Sequence, residues 1–234
     1  MSFRAFLLDS LTIGGAFIGY PLCGPRIVQL NISDNCNVDC IMCNRRSLGV
    51  SGFMPYQRII SLVDELYRLG MREVYFHGVG EPLMHPRITD ILNYAGSKYP
   101  SLKMGIVSNG TLLDRGIVQS VIRNRVKVRV SLHAADRRTW QEIHPHDRTG
   151  LFDRTIEGIR SITEADPGLI ELLFVIFRSN SSRIREMAEL AGSLGVREVL
   201  FRPMRFLADR AGKNMNSHLM LDAREFNAAG EMLK

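Results

Sequence analysis

Arg26-Ile27-Val28-Gln29-Leu30-Asn31-Ile32-Ser33-Asp34-Asn35-Cys36-Asn37-Val38-Asp39-Cys40-Ile41-Met42-Cys43 decides the fold: an apolar, partly β-branched run leads straight into a polar loop with three thiols in CxxxCxxC spacing. Residues 26–32 predict a buried strand, which places the thiols at its carboxyl end. Thiolates are the usual ligands of iron–sulfur clusters. Close spacing on one loop lets three sulfurs reach three corners of a [4Fe-4S] cubane and leaves the fourth iron open. Zinc is the competing reading, but a structural zinc site wants four protein ligands and no second CxxC follows, so Cys23 or a histidine would have to complete it. Four cysteines in 234 residues, three of them within eight positions, do not make a disulfide scaffold; they point to metal ligation in a reducing, cytoplasmic compartment.

Outward from this loop, short apolar runs alternate with longer segments of helical periodicity. Further strands are predicted at 73–77, 103–108, 127–132, 169–177 and 198–202. Helices are predicted at 56–69, 86–99, 114–124, 153–164 and 181–194. In the first of these, Ile59, Ile60, Val63, Leu66 and Tyr67 fall at helical spacing, and Gly70 supplies the stop. Six successive βα-like units define an α/β chain, either an open doubly wound sheet or a partial (β/α)6 barrel of parallel strands. Both architectures put chemistry at the carboxyl ends of the strands.

The composition, 45% hydrophobic and 23% charged, suits one domain with a sizeable core. A net charge of +6 mildly favours an acidic partner but is too diffuse for a nucleic-acid partner to be expected. Residues 1–25 form an apolar lead-in. Asp9 interrupts it, and Gly14, Gly15 and Gly19 weaken it as a membrane span, so a packed or interfacial helix with weak peripheral membrane contact is expected. Residues 26–204 carry the core. Residues 205–234 break the rhythm as a C-terminal extension, with a helix at 221–234 running into the last residue, as a truncated domain would.

The polar residues at the other strand ends bring in a family. The cysteine loop resembles that of the radical S-adenosylmethionine (SAM) superfamily, whose CxxxCxxC follows the first strand of a partial (β/α)6 barrel. The resemblance covers about residues 26–204. His77-Gly78-Val79-Gly80-Glu81-Pro82 resembles the family's GGEP motif, with Val79 in place of the first glycine; Gly80 would let the backbone approach SAM and Glu81 would accept from its ammonium group. Val107-Ser108-Asn109-Gly110-Thr111 is similar to a Ser/Thr-Asn-Gly segment and is either a ligand contact or a turn and helix cap. Val130-Ser131-Leu132-His133 resembles a Ser-Leu/Ile-Asp segment in which the Ser131 hydroxyl would face SAM; His133 replaces an aspartate and so could titrate near neutrality. His144-Pro145-His146-Asp147-Arg148 resembles the His-Asp-x-x-Arg stretch of peptide-modifying relatives, which makes Arg148 a partner for the SAM carboxylate, with the two histidines read as solvated.

Arg178 and Arg202 close the fifth and sixth strands, so each is expected either to point into the barrel mouth, where it would contact SAM or substrate, or to cap a neighbouring helix through an ion pair. Met42 stands where many members carry an aromatic residue, and its thioether would lie against the adenine. Trp140 reads as packing.

The resemblance implies a [4Fe-4S] cluster on Cys36, Cys40 and Cys43. It also implies SAM on the open iron, an electron donor such as a flavodoxin or ferredoxin, and hydrogen abstraction from an unknown substrate. The closest look is to the branch that modifies peptides or proteins or matures cofactors. The alternatives are an enzyme of the same class acting on a nucleotide, sugar or lipid-linked small molecule, and a non-catalytic iron–sulfur or zinc-binding protein.

Overall fold

The computed structural model describes residues 3–19, 22–147, 150–204 and 217–231. After the lead-in helix α1 (Phe3–Ile18), six strands follow: β1 (Ile27–Ser33), β2 (Glu73–Gly78), β3 (Lys103–Ser108), β4 (Lys127–Ser131), β5 (Ile170–Ile176) and β6 (Glu198–Pro203). They form one sheet in the order β1-β2-β3-β4-β5-β6, every neighbouring pair parallel. Among the described residues the sheet does not close, since β1 and β6 each have a single neighbouring strand.

These runs become strands because alternate side chains are wanted inside on one face of the sheet, while the other face carries half-buried positions such as Tyr75, Arg129 and Leu173. Phe76, Ile106, Val128, Val130, Leu172 and Phe174 are fully buried. Complete burial of such a side chain is worth about 1.5–3 kcal/mol.

The connecting helices are α2 (Arg45–Leu48), α3 (Tyr56–Arg68), α4 (Ile88–Lys98), α5 (Arg115–Arg123), α6 (Arg137–Ile143), α7 (Leu151–Ala165), α8 (Ile184–Ser193) and, near the C-terminus, α9 (Ala223–Glu231). α3 buries Ile59 and Val63 on one face, as its periodicity demands. α5 starts where it does because the Asp114 carboxylate accepts the Ile117 N–H at 2.8 Å, a cap worth about 1 kcal/mol.

Two short helices, α2 and α6, lie in segments that the periodicity leaves blank. α6 has seven residues, too few to show a period; its signal is the capping carboxylate of Asp136, which accepts the Thr139 N–H at 2.8 Å. The predicted C-terminal helix is shorter than expected in the described part, and the polar stretch 205–216 lies outside the described residues.

At the amino-terminal end of the sheet, the buried Glu171 pairs with Arg129 and, at 3.7 Å, with Lys127, which also reaches Glu198. Cys23 precedes β1 and the other three cysteines follow it. The seven residues of the strand set the two groups apart by roughly 20 Å.

Candidate active site

β1 hands the chain to the cysteine loop at Ser33, and β2 clamps the junction. Gly80 N–H donates to the Ser33 carbonyl at 3.0 Å, Glu81 N–H donates to the Asn35 carbonyl at 2.7 Å, and the Ser33 hydroxyl donates to the same carbonyl at 3.0 Å. The glycine requirement follows from this clamp. A Cβ on Gly80 would sit 2.0 Å from the Asn35 carbonyl oxygen, so the close backbone approach made here is to the cysteine loop. Farther along, Ile41 N–H bonds the Ile143 carbonyl at 3.0 Å, tying the loop to the end of α6, and Cys43 N–H closes a turn on the Cys40 carbonyl.

Backbone N–H groups point at two of the three sulfurs. Val38 donates to Cys36, and Arg45 donates to Cys43 at 3.5 Å. Burial pushes the Cys40 thiol well above its ordinary range, reinforced by the neighbouring thiols and Asp39. Cys36 is also raised, mainly by burial, with the Val38 N–H working in the other direction. Burial therefore favours the protonated form of Cys36 and Cys40 in the metal-free chain, and a bound cation would favour the thiolate. Among the described residues no three His, Cys, Asp or Glu side chains converge on a single-ion position. A cubane, by contrast, asks three sulfurs to reach three different irons. Three thiols on one clamped loop, with N–H donors aimed at sulfur, fit such a cluster.

The loop faces a cavity of about 520 Å³ at the carboxyl ends of the strands. Its lining includes the three cysteines together with Met42, Gly80, Glu81, Ser108, Asn109 and Ser131. Six non-cysteine candidates from distant parts of the sequence thus meet around one space. Met42, within the loop, is buried. Ser131 has no hydrogen-bond partner for its hydroxyl among the described residues, so that group is available to a ligand.

Glu81 is buried at 2% exposure. Its Oε1 accepts from Leu83 N–H at 2.9 Å and the Ser108 hydroxyl at 2.7 Å, and its Oε2 accepts from Asn109 N–H at 2.7 Å. One lone pair on Oε2 remains. Burial outweighs these donors and pushes the carboxyl up to about 7.

Several expectations are corrected. His133 is not a group that titrates near neutrality: burial, with His144 nearby, pushes it down to about 3. Its Nδ1 accepts the Val175 N–H at 3.1 Å, which places the ring proton on Nε2. Its backbone sits in the left-handed region at φ 59°. His144 is not solvated; it is 2% exposed and stacks on Trp140 at 4.0 Å, while His146 stays at the surface, 3.7 Å from Asp39.

Arg178 does not enter the mouth. Its guanidinium donates to the Met220 carbonyl and to Glu225, each at 3.1 Å, on the segment that forms α9. Arg202 does line the cavity, and has no ion-pair partner among the described residues. Arg148 lies outside the described residues. Gln29, Leu173, Val175 and Met204 also line the cavity without having stood out in the sequence.

An open sheet of six parallel strands with a three-cysteine loop and a cavity at its carboxyl edge defines an S-adenosylmethionine-dependent radical enzyme core. The chain belongs to the radical SAM superfamily, whose family model matches residues 30–191; its cofactors are a [4Fe-4S] cluster and SAM. Among curated proteins it is 29% identical over 183 residues to a probable GTP 3',8-cyclase of Saccharolobus islandicus, covering 77% of this chain and 56% of that protein. It is 27% identical over 174 residues to an AdoMet-dependent heme synthase of Methanosarcina barkeri, covering 73% and 48%. The chain therefore spans about half the length of the curated relatives it matches. Among solved structures, SuiB of Streptococcus suis bound to S-adenosylmethionine superposes with a TM-score of 0.72 at 14% identity, over 96% of this chain and 47% of that one. At that identity the likeness is one of fold.

Proposed function

We propose that this core uses its cavity to hold SAM over a cluster on Cys36, Cys40 and Cys43, and directs the resulting radical at a weakly charged substrate, a peptide side chain or a cofactor precursor. When bound, the cluster and SAM supply one-electron cleavage of the sulfonium and a carbon radical able to take hydrogen from substrate. An external reductant such as a flavodoxin or ferredoxin would supply the electron.

The chain's own residues bind and orient. The open lone pair of Glu81 Oε2 would accept from the SAM ammonium, the Ser131 hydroxyl would face SAM, and Met42 would lie against the adenine; all three residues line the cavity. Val79, Leu173, Val175 and Met204 give an apolar wall that keeps water from the radical.

The observation that carries the substrate class is the charge of the lining. Among the described residues it contains one guanidinium, Arg202, and two histidines, of which buried His133 is neutral. One cation matches one carboxylate or phosphate and leaves a triphosphate short of partners. The second reading, a nucleotide substrate, is favoured by the sequence likeness to a probable GTP 3',8-cyclase.

Anaerobic reconstitution should give about four irons per chain, and dithionite with SAM should release 5′-deoxyadenosine. Cys40→Ala should abolish both. A reduced cluster that leaves SAM intact would refute the reading. Added GTP should leave the rate of deoxyadenosine release unchanged, whereas multi-fold stimulation by GTP would establish the nucleotide reading in its place.

A further inference from the structure

Asn109 and Thr111, just past the end of β3, form a closed ring of hydrogen bonds with Asn37 of the cysteine loop. Asn37 Nδ2 donates to Thr111 Oγ1 at 2.8 Å, and Thr111 Oγ1 donates to Asn109 Oδ1 at 2.6 Å. Asn109 Nδ2 then donates back to Asn37 Oδ1 at 3.0 Å. The direction of the ring is not arbitrary. Thr111 N–H, which can only donate, lies 2.9 Å from the same Asn109 atom, so that atom is the oxygen. The amide nitrogen must therefore face the loop, where it also lies 3.9 Å from Cys36 Sγ. Both lone pairs of Asn109 Oδ1 and both hydrogens of Nδ2 are thereby committed. Asn109 and Thr111 are buried, at 9% and 4% exposure, where such bonds are strongest and most costly to break.

We propose that this ring is a latch: Asn109, held by Thr111 and Asn37, fixes the Cys36 sulfur and donates an N–H to it, raising the reduction potential of the cluster. The inference rests on the cluster assignment above. It gives Asn109 a positioning role toward the cluster in place of a contact with SAM. Reduction adds negative charge that spreads onto the ligand sulfurs, and a fixed donor stabilises the reduced form more than the oxidised one. Asn109 N–H is also held by Glu81 Oε2, so the latch is continuous with the carboxylate assigned to the ammonium of SAM. A shift of that carboxylate would be felt at Cys36.

The test is an EPR-monitored redox titration of the reconstituted full chain, without SAM or substrate, alongside iron analysis. Asn109→Asp keeps the acceptors for Thr111 but turns an oxygen toward Cys36 and Asn37 Oδ1. Thr111→Val keeps the N–H and the shape but deletes the hydroxyl that closes the ring. The expected order of potentials is wild type highest, Thr111→Val lower and Asn109→Asp lowest. In Thr111→Val, which adds no charge, a merely structural role would change iron content or stability and leave the potential of the loaded fraction where it was. Iron-loaded Asn109→Asp at the wild-type potential overturns the latch. Should that variant lose its cluster, Thr111→Val decides, and a wild-type potential there overturns the proposal equally. Wild-type chain that takes up no iron is a separate outcome, one that defeats the cluster assignment itself.

Discussion

Replacing Glu81 with glutamine separates the two forces acting on that side chain. In the native site Oε1 serves the Leu83 N–H and the Ser108 hydroxyl while Oε2 serves the Asn109 N–H. The amide can keep the first pair only by turning its NH₂ group toward the Asn109 N–H, donor against donor. A buried donor left without an acceptor costs about 1–3 kcal/mol.

Ionisation adds a pH dependence whose sign is fixed. Burial raises the folded carboxyl from 4.5 to about 7, so between those values the folded state holds a proton that the unfolded state has released, and stability falls as pH rises. Glutamine has no such dependence. The advantage of wild type over Glu81→Gln should therefore be largest below pH 4.5 and shrink by about 2 kcal/mol between pH 5 and pH 7.5. Taking the difference between the two proteins cancels the contributions of His133 and His144.

The assay is urea unfolding of the metal-free chain followed by fluorescence of the sole tryptophan, Trp140, which is buried and hydrogen-bonded to Asp147 at 2.7 Å. A difference that stays flat, or widens toward pH 7.5, would refute the reasoning. It would mean that three convergent donors hold the carboxylate charged despite its burial.

Two further outcomes follow from the same site. Gly80→Ala forces a Cβ to within 2.0 Å of the Asn35 carbonyl oxygen. It should cost about 1–3 kcal/mol and lower the iron content of reconstituted protein, while Val79→Ala, at a position 39% exposed, should leave iron content unchanged. His133→Asn keeps a residue type that tolerates the left-handed backbone but removes a ring whose folded pKa lies near 3. Because the unfolded histidine takes up its proton near 6.5, the wild type should lose about 2 kcal/mol between pH 7 and pH 5 from this group. The variant should not show that loss, and an identical pH profile for both proteins would show that the ring is solvated.

The strands were legible because short apolar, partly β-branched runs recur between helical stretches, and β3 coincides with its predicted span. The cysteine loop was legible because spacing is itself the chemistry. What local sequence did not carry was direction and burial. Arg178 and Arg202 look alike as arginines closing apolar runs. Yet β5 ends at Ile176, which leaves Arg178 in the turn beyond it, where α9 offers Glu225. No local pattern announces a partner 47 residues away. Arg202 is still inside β6, in register with Val175. Val175 lines the cavity, and registered neighbours on parallel strands present their side chains to the same face, so Arg202 lines it too.

The same parity accounts for Ser131, which stands opposite cavity-lining Leu173. A strand-end residue is thus a site candidate when its register partner faces the cavity, and pairing supplies that information where sequence position alone does not. The rule stops where the strand stops. His133 and Asn109 both lie past their strand ends, and loop hydrogen bonds decide what they do: Val175 N–H fixes the His133 ring and Thr111 N–H fixes the Asn109 amide. The site's polar chemistry is therefore set twice, by register for the groups that face the ligand and by backbone donors for those that hold the ligand's bed in place.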